Sequence, residues 1–102
     1  MLYRRVITGL VEPGKHDDFL AAAREAADYQ ARHGVEASTK VWSAMSGKNG
    51  TVVLTSDFDS LAELEKFEHL VATDEEFGRV RRKVMASLAF GTAETQILRE
   101  LP

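Results

Sequence analysis

The sequence predicts an α+β domain of the βαββαβ type: an antiparallel four-stranded sheet with helices on one face. Three observations carry this expectation. Segments rich in β-branched and aromatic residues alternate with amphipathic helical segments in that order. Asn49-Gly50 lies between the two central strand-like segments, where a hairpin must turn. At 102 residues the chain is near the commonest domain size, so a single domain over residues 1–102 is expected.

The first strand runs from Leu2 to Val11, with Tyr3, Val6, Ile7 and Thr8 among its strand-forming residues, and stops at Pro13-Gly14. A helix follows. Phe19, Leu20, Ala23, Ala26, Ala27 and Gln30 fall on one side of it, and Asp17, Arg24, Glu25, Asp28 and Arg32 on the other. Asp17 and Asp18 offset the positive end of its dipole, and Gly34 is placed for a left-handed cap at its other end.

Val35 to Met45 and Thr51 to Phe58 read as extended segments joined by Ser46-Gly47-Lys48-Asn49-Gly50, the second and third strands of a hairpin. Ser60 and Glu63 form a capping-box pattern ahead of Leu61, Leu64, Phe67 and Val71 at helical spacing. Thr73 and Glu76 repeat that pattern before Phe77, Val80, Val84 and Leu88, so the second helical region is expected in two pieces. Phe90-Gly91 ends it, and Ala93 to Leu101 forms the last strand.

Two helical regions cover only one side of such a sheet. A sheet with one wet face alternates apolar and polar residues, yet here both phases are apolar. Leu2, Val6 and Leu10 oppose Tyr3, Ile7 and Val11 in the first strand, Val41 opposes Trp42 in the second, and Val52, Leu54 and Phe58 oppose Val53 in the third. The same face of a second copy is the simplest cover, because two-fold homodimers are the commonest oligomers. A homodimer is expected.

Composition narrows the function classes. The apolar fraction of 44% and charged fraction of 28% exclude the disordered regime. A net charge of −3 with interspersed signs gives no basic field for nucleic acid. No apolar stretch reaches a membrane span, and Met1 leads straight into a strand, so neither membrane insertion nor secretion is expected. The absence of cysteine removes disulfides, thiolate catalysis and Cys-ligated metals, and fits a cytoplasmic location. Phosphate loops, serine-nucleophile elbows and paired metal carboxylates are absent as motifs; no metal or cofactor is expected.

Tyr3, Arg5, Lys40 and Trp42 occupy alternate positions of their strands and are candidates to converge on the sheet. Two aromatics with cations suit a flat anionic or phenolate-like ligand. The competing reading packs Tyr3 and Trp42 into the dimer core, with the cations reaching water along their stems. The run Arg79, Arg81, Arg82 and Lys83 suggests an anion site, but it spreads around its helix, with Glu75 and Glu76 one turn ahead, and a solvated face is the better account. His16 and His33 lie at the ends of the first helix, where surface or capping roles suffice.

The order of elements, the Pro13-Gly14-Lys15 turn into an amphipathic helix, the Val41-Trp42 strand and the Phe58-x-x-Leu61 entry into the second helix resemble the dimeric α/β-barrel superfamily, NIPSNAP-like members in particular. The resemblance implies a ferredoxin-like protomer, a barrel closed by two sheets, and pockets between sheet and helices. It also implies relatives of mixed function: cofactor-free oxygenases of polyketide-like phenols, heme-degrading enzymes and proteins without assigned activity. Trp42 and His69 match the heme-degrading pattern loosely, but the first strand lacks its asparagine. His69 therefore joins Tyr3, Arg5, Lys40 and Trp42 as a tentative ligand-binding residue, beside glutamates that suggest a solvated face. The reading is a homodimer that binds a small organic molecule, with a cofactor-free monooxygenase acting on a small aromatic or polyketide-like substrate as the alternative.

Overall fold

In the computed structural model, which describes all 102 residues, the chain runs β1 (Tyr3–Leu10), α1 (His16–Arg32), β2 (Ser38–Ser43), β3 (Thr51–Phe58), α2 (Leu61–Thr73), α3 (Glu75–Ala86) and β4 (Glu94–Arg99). The strands form one sheet in the order β2-β3-β1-β4, with every neighbouring pair antiparallel. This is a ferredoxin-like α+β fold. Its shortest dimension, 20 Å, is that of one helix layer on one sheet. No helix is long and apolar enough to cross a membrane.

Register decides which side chains meet the helices. Tyr3 pairs with Phe58, Arg5 with Ser56, Ile7 with Leu54 and Gly9 with Val52, and all eight residues share the helix-facing side. Ile7, Val52, Leu54 and Phe58 enter the core there with Phe19, Ala23 and Ala26 of α1, Leu64 and Phe67 of α2, and Phe77, Val80 and Val84 of α3. Phe67 meets Phe77 edge to face at 5.7 Å, and Phe77 stacks on Tyr29 at 5.3 Å.

Burial beneath the helices is deepest on β3 and β1. Nearly every residue of β2 and all of β4 are exposed. On the open side Trp42 and Leu98 are 47% and 46% exposed, flanked by half-buried Val6, Thr8, Leu10 and Val53.

The local expectations are met with four differences. The second strand spans Ser38–Ser43 and not Val35 to Met45, with Val35 buried in the core ahead of it. Ser60 Oγ accepts from the Glu63 N–H as expected, but the Glu63 carboxylate goes to Lys66 and to the Glu36 N–H, so the capping box is half made. At the helix break the cap is Asp74, not Thr73. Asp74 has an extended backbone, its carboxylate accepts from the Phe77 N–H at 2.9 Å, and Thr73 instead donates to the His69 carbonyl. In the hairpin the left-handed positions are Gly47 and Gly50, and Asn49 is not one; residues 44–50 make a wider loop than a two-residue turn.

Candidate functional site

Between the sheet and the helices lies a small cavity of about 30 Å³. Ile7 and Leu54 form its apolar floor, Ala26, Phe67, Phe77 and Val84 its walls, and Arg5, Gln30, Ser56 and Arg81 bring polarity to it. The strand phase explains Arg5: with Ile7 committed to the core, the residue two before it must also point under the helices. Its guanidinium lies 5.0 Å from the centre of the Phe67 ring, and its side chain is only 11% exposed.

The polar groups here are poorly matched. Arg5 Nε stands 3.5 Å from Glu68 Oε1, close enough for Coulomb attraction but too far for a formed hydrogen bond, and both atoms are buried without a hydrogen-bond partner. Gln30, 5% exposed, has an unpaired Oε1. Burial lowers the pKa of Arg5, the positive charge of Arg81 lowers it further, and Glu68 opposes both. Arg81 is also lowered by burial, against the attraction of Glu68. Of the two guanidiniums, only Arg5 stands in ion-pair range of the Glu68 carboxylate, and Arg81 lines the same partly dehydrated space.

The five residues expected to bind ligand do not converge. Tyr3 and Arg5 face the helices, and Tyr3 packs against the core. Lys40 and Trp42 face the open side, where the Trp42 indole donates to Thr55 Oγ1 at 2.9 Å and Lys40 Nζ lies 5.9 Å from the indole centre. Register is the reason: Lys40 and Trp42 stand opposite Thr55 and Val53, the phase opposite to Ser56 and Leu54. His69 lines an open groove of about 260 Å³ with His33, Lys66, Thr73 and Asp74.

Beneath that groove Tyr29 donates to Asp74 Oδ1 at 2.7 Å while His33 stacks on the Tyr29 ring at 4.1 Å. The Tyr29 hydroxyl holds the Asp74 carboxyl below the usual aspartate range, and the same bond pushes the tyrosine up to about 12. The contact ties α1 to the α2–α3 junction. A third concavity, about 380 Å³ between α1 and α3, is an open groove crossed by the Glu25–Lys83 ion pair. Nowhere do three His, Asp or Glu side chains gather to hold a metal ion.

Gln30, Ser56, Glu68 and Arg81 were not singled out by the sequence. Gln30 carried a signal, as the one long polar side chain in the apolar stripe of α1. Arg81 did not: the run 79–83 read as solvated throughout. Arg79 does pair with Glu76, and Lys83 with Glu25, but Arg81 turns inward.

No protein-family model and no curated protein matches the chain. Solved structures do. A conserved protein from Methanosarcina mazei Go1 superposes with a TM-score of 0.76 at 14% identity, covering 99% of this chain and 94% of that one. An uncharacterized NIPSNAP domain protein from Burkholderia xenovorans gives 0.69 at 19%, covering 99% and 95%. A structure of an antibiotic biosynthesis monooxygenase gives 0.69 at 17%, covering all of both chains. The fold is that of the NIPSNAP and antibiotic-biosynthesis-monooxygenase structures. This agrees with the NIPSNAP-like resemblance carried by the sequence, and it extends from end to end of the chain. At such identities it is a likeness of fold, on which unrelated chemistries are grafted.

Proposed function

We propose that the protein is a cytoplasmic homodimer that binds a small organic molecule between its sheet and its helices. The observation that carries the binding is the cavity at Arg5, Gln30 and Arg81. Unpaired buried polar atoms are rare in a folded chain and costly to keep, and two of the three here, Arg5 Nε and Gln30 Oε1, belong to residues that line this space. The dimer is supported by the open face. Trp42 and Leu98 leave apolar surface there, the edge strands β2 and β4 lack cover, and a two-fold partner supplies both needs.

The alternative, a cofactor-free monooxygenase acting on a small aromatic or polyketide-like substrate, draws on the fold shared with the antibiotic biosynthesis monooxygenase structure. Natively purified protein, screened by thermal shift with small acids and hydroxylated aromatics, tests the binding. A ligand at a hundred times its Kd raises stability by about 2.7 kcal/mol. Oxygen consumption with a stabilising compound would favour the enzyme; stabilisation without consumption favours binding alone. If no compound shifts the melting temperature, both readings of the cavity fail.

A further inference from the structure

We infer that Asn49 is a site of self-modification: the backbone nitrogen of Gly50 attacks the Asn49 side-chain amide and converts it, through a succinimide, to aspartate and isoaspartate at the tip of the β2–β3 hairpin. The inference stands apart from the binding and pairing readings. Asparagine is among the thermolabile side chains. Asn49 is the single asparagine of the chain, a glycine follows it, and both are exposed.

The chemistry needs only water and hydroxide. Hydroxide removes the Gly50 amide proton, and the freed electron pair forms a bond from that nitrogen to Asn49 Cγ. Glycine favours the approach because it carries no Cβ to crowd the nitrogen. The carbon–nitrogen bond of the side-chain amide then breaks, its nitrogen leaves as ammonia with a proton from water, and a five-membered ring remains. Water opens the ring at either carbonyl. Cleavage at Cγ leaves aspartate. Cleavage at the main-chain carbonyl leaves isoaspartate, whose backbone runs through the side chain and is longer by a methylene. Nothing is oxidised or reduced.

The fold leaves the nucleophile free and sets what must move. The Gly50 N–H donates to no backbone carbonyl, whereas the Gly50 carbonyl accepts from the Val11 N–H at 2.9 Å, so the tether lies beyond the reacting nitrogen. Lys48 to Thr51 form a four-residue turn. The Thr51 N–H reaches the Lys48 carbonyl at 3.3 Å, the Thr51 hydroxyl donates to the same oxygen at 2.8 Å, and Gly50, at φ 83°, takes the left-handed place that Asn49 does not. That is a type II turn, in which the Asn49 Cα–C bond must rotate by about 120° before the Gly50 nitrogen meets Cγ. The turn therefore opens first. Two bonds to one oxygen hold it, in a loop, 44–50, that is exposed throughout, and such segments open at little cost. Of the products, aspartate sets a negative charge beside Lys48, the one charge of that loop. Isoaspartate lengthens the link between β2 and β3, and the Ala44 N–H bond to the Thr51 carbonyl, 3.1 Å long, is the first it loosens.

The test holds the native protein at mildly alkaline pH beside an unstructured peptide spanning Ser46 to Val52. Intact mass follows the gain from replacing NH2 by OH, tandem mass spectrometry places it, and an isoaspartyl methyltransferase counts the isoaspartate. With each turn bond slowing the reaction by at most about tenfold, the native chain should convert at Asn49 no more than about a hundredfold more slowly than the peptide, with isoaspartate present. Thr51→Val removes the hydroxyl bond while keeping a β-branched shape, and should convert up to about tenfold faster. Asn49→Gln, which needs a six-membered ring, should show no gain over the same period. Should Thr51→Val not fold, the comparison of native chain with peptide decides alone. A slower native rate than that bound, a gain placed on Gln30 or Gln96, or aspartate without isoaspartate would overturn the site. Equal rates in Thr51→Val and the native chain would overturn the turn's part in it.

Discussion

If the chain pairs as proposed, replacing Trp42 by alanine should turn the dimer into a monomer over the micromolar range. In the isolated protomer Trp42 is 47% exposed on the open face of the sheet. A whole tryptophan side chain offers up to about 250 Å², so roughly 120 Å² is left for a partner to cover. At about 25 cal/mol per Å² that is ~3 kcal/mol for each protomer and ~6 kcal/mol for a two-fold dimer. Alanine keeps some of that area, so the loss is about 4 kcal/mol or more, on the order of a thousandfold in Kd. The protomer should survive, because Thr55, relieved of its bond from the indole, gains access to water on the face that Trp42 vacates. Sedimentation equilibrium from nanomolar to tens of micromolar protein measures the constant, with circular dichroism to confirm folding. A native chain that sediments at 11.3 kDa throughout that range would refute the pairing, and an unchanged constant in the variant would refute this geometry of it.

Two further outcomes test the packing and the electrostatics. A Cβ built on Gly9 would lie 2.9 Å from Leu88 Cδ1 and 3.3 Å from Cδ2; Gly9→Ala should therefore cost about 1–3 kcal/mol by urea denaturation. In a Leu88→Ala background the cost should shrink by about 1 kcal/mol or more, and simple additivity would show that the contact is not the cause. Asp74 titrates below its ordinary value, chiefly through the Tyr29 hydroxyl and then the Phe77 N–H, so its stabilisation is present above the unfolded aspartate pKa and lost as pH falls through the lowered value. Tyr29, pushed up to about 12, stabilises below its unfolded pKa and loses that contribution as pH rises toward 12. Tyr29→Phe should accordingly flatten the melting temperature against pH at both ends, and a profile parallel to that of the native chain would show that the bond does not form in solution.

Much of the fold was legible because each element is signalled more than once. The α1 stripe, its acidic first turn and Gly34 agree with one another, and the observed helix starts and stops within that frame. The site was less legible. Alternation within a strand says which residues share a face, but not which face of one strand lies beside which face of the next. That depends on register, and the register of β2 on β3 carried Lys40 and Trp42 away from Tyr3 and Arg5. Arg81 was hidden for a different reason: in a run of four cations over five positions, composition cannot tell the one that turns inward. Its partner at the cavity, Gln30, was visible as a polar residue in an apolar stripe, and no second signal in the chain gave it a chemistry.

Arg4 and Arg5 show how the sheet divides the work of the chain. They are adjacent and chemically identical, yet the pleat sends them to opposite sides. Arg4 forms a two-pronged pair with Asp57 at 2.6 and 2.9 Å on the open face, and its charge is answered within the protomer. Arg5, one residue on, lies beneath Phe67 with its Nε 3.5 Å from Glu68 Oε1, too far for a formed hydrogen bond. A charge satisfied at a prospective interface is compatible with a second copy closing over it, since it brings no unpaired group into the contact. A charge so loosely answered in the core serves stability poorly, and this is what supports the proposal of a ligand there. Exchanging the two environments by a one-residue register shift would bury Arg4 and free Arg5, so the same phase that sets the core also separates the proposed pairing surface from the cavity under the helices.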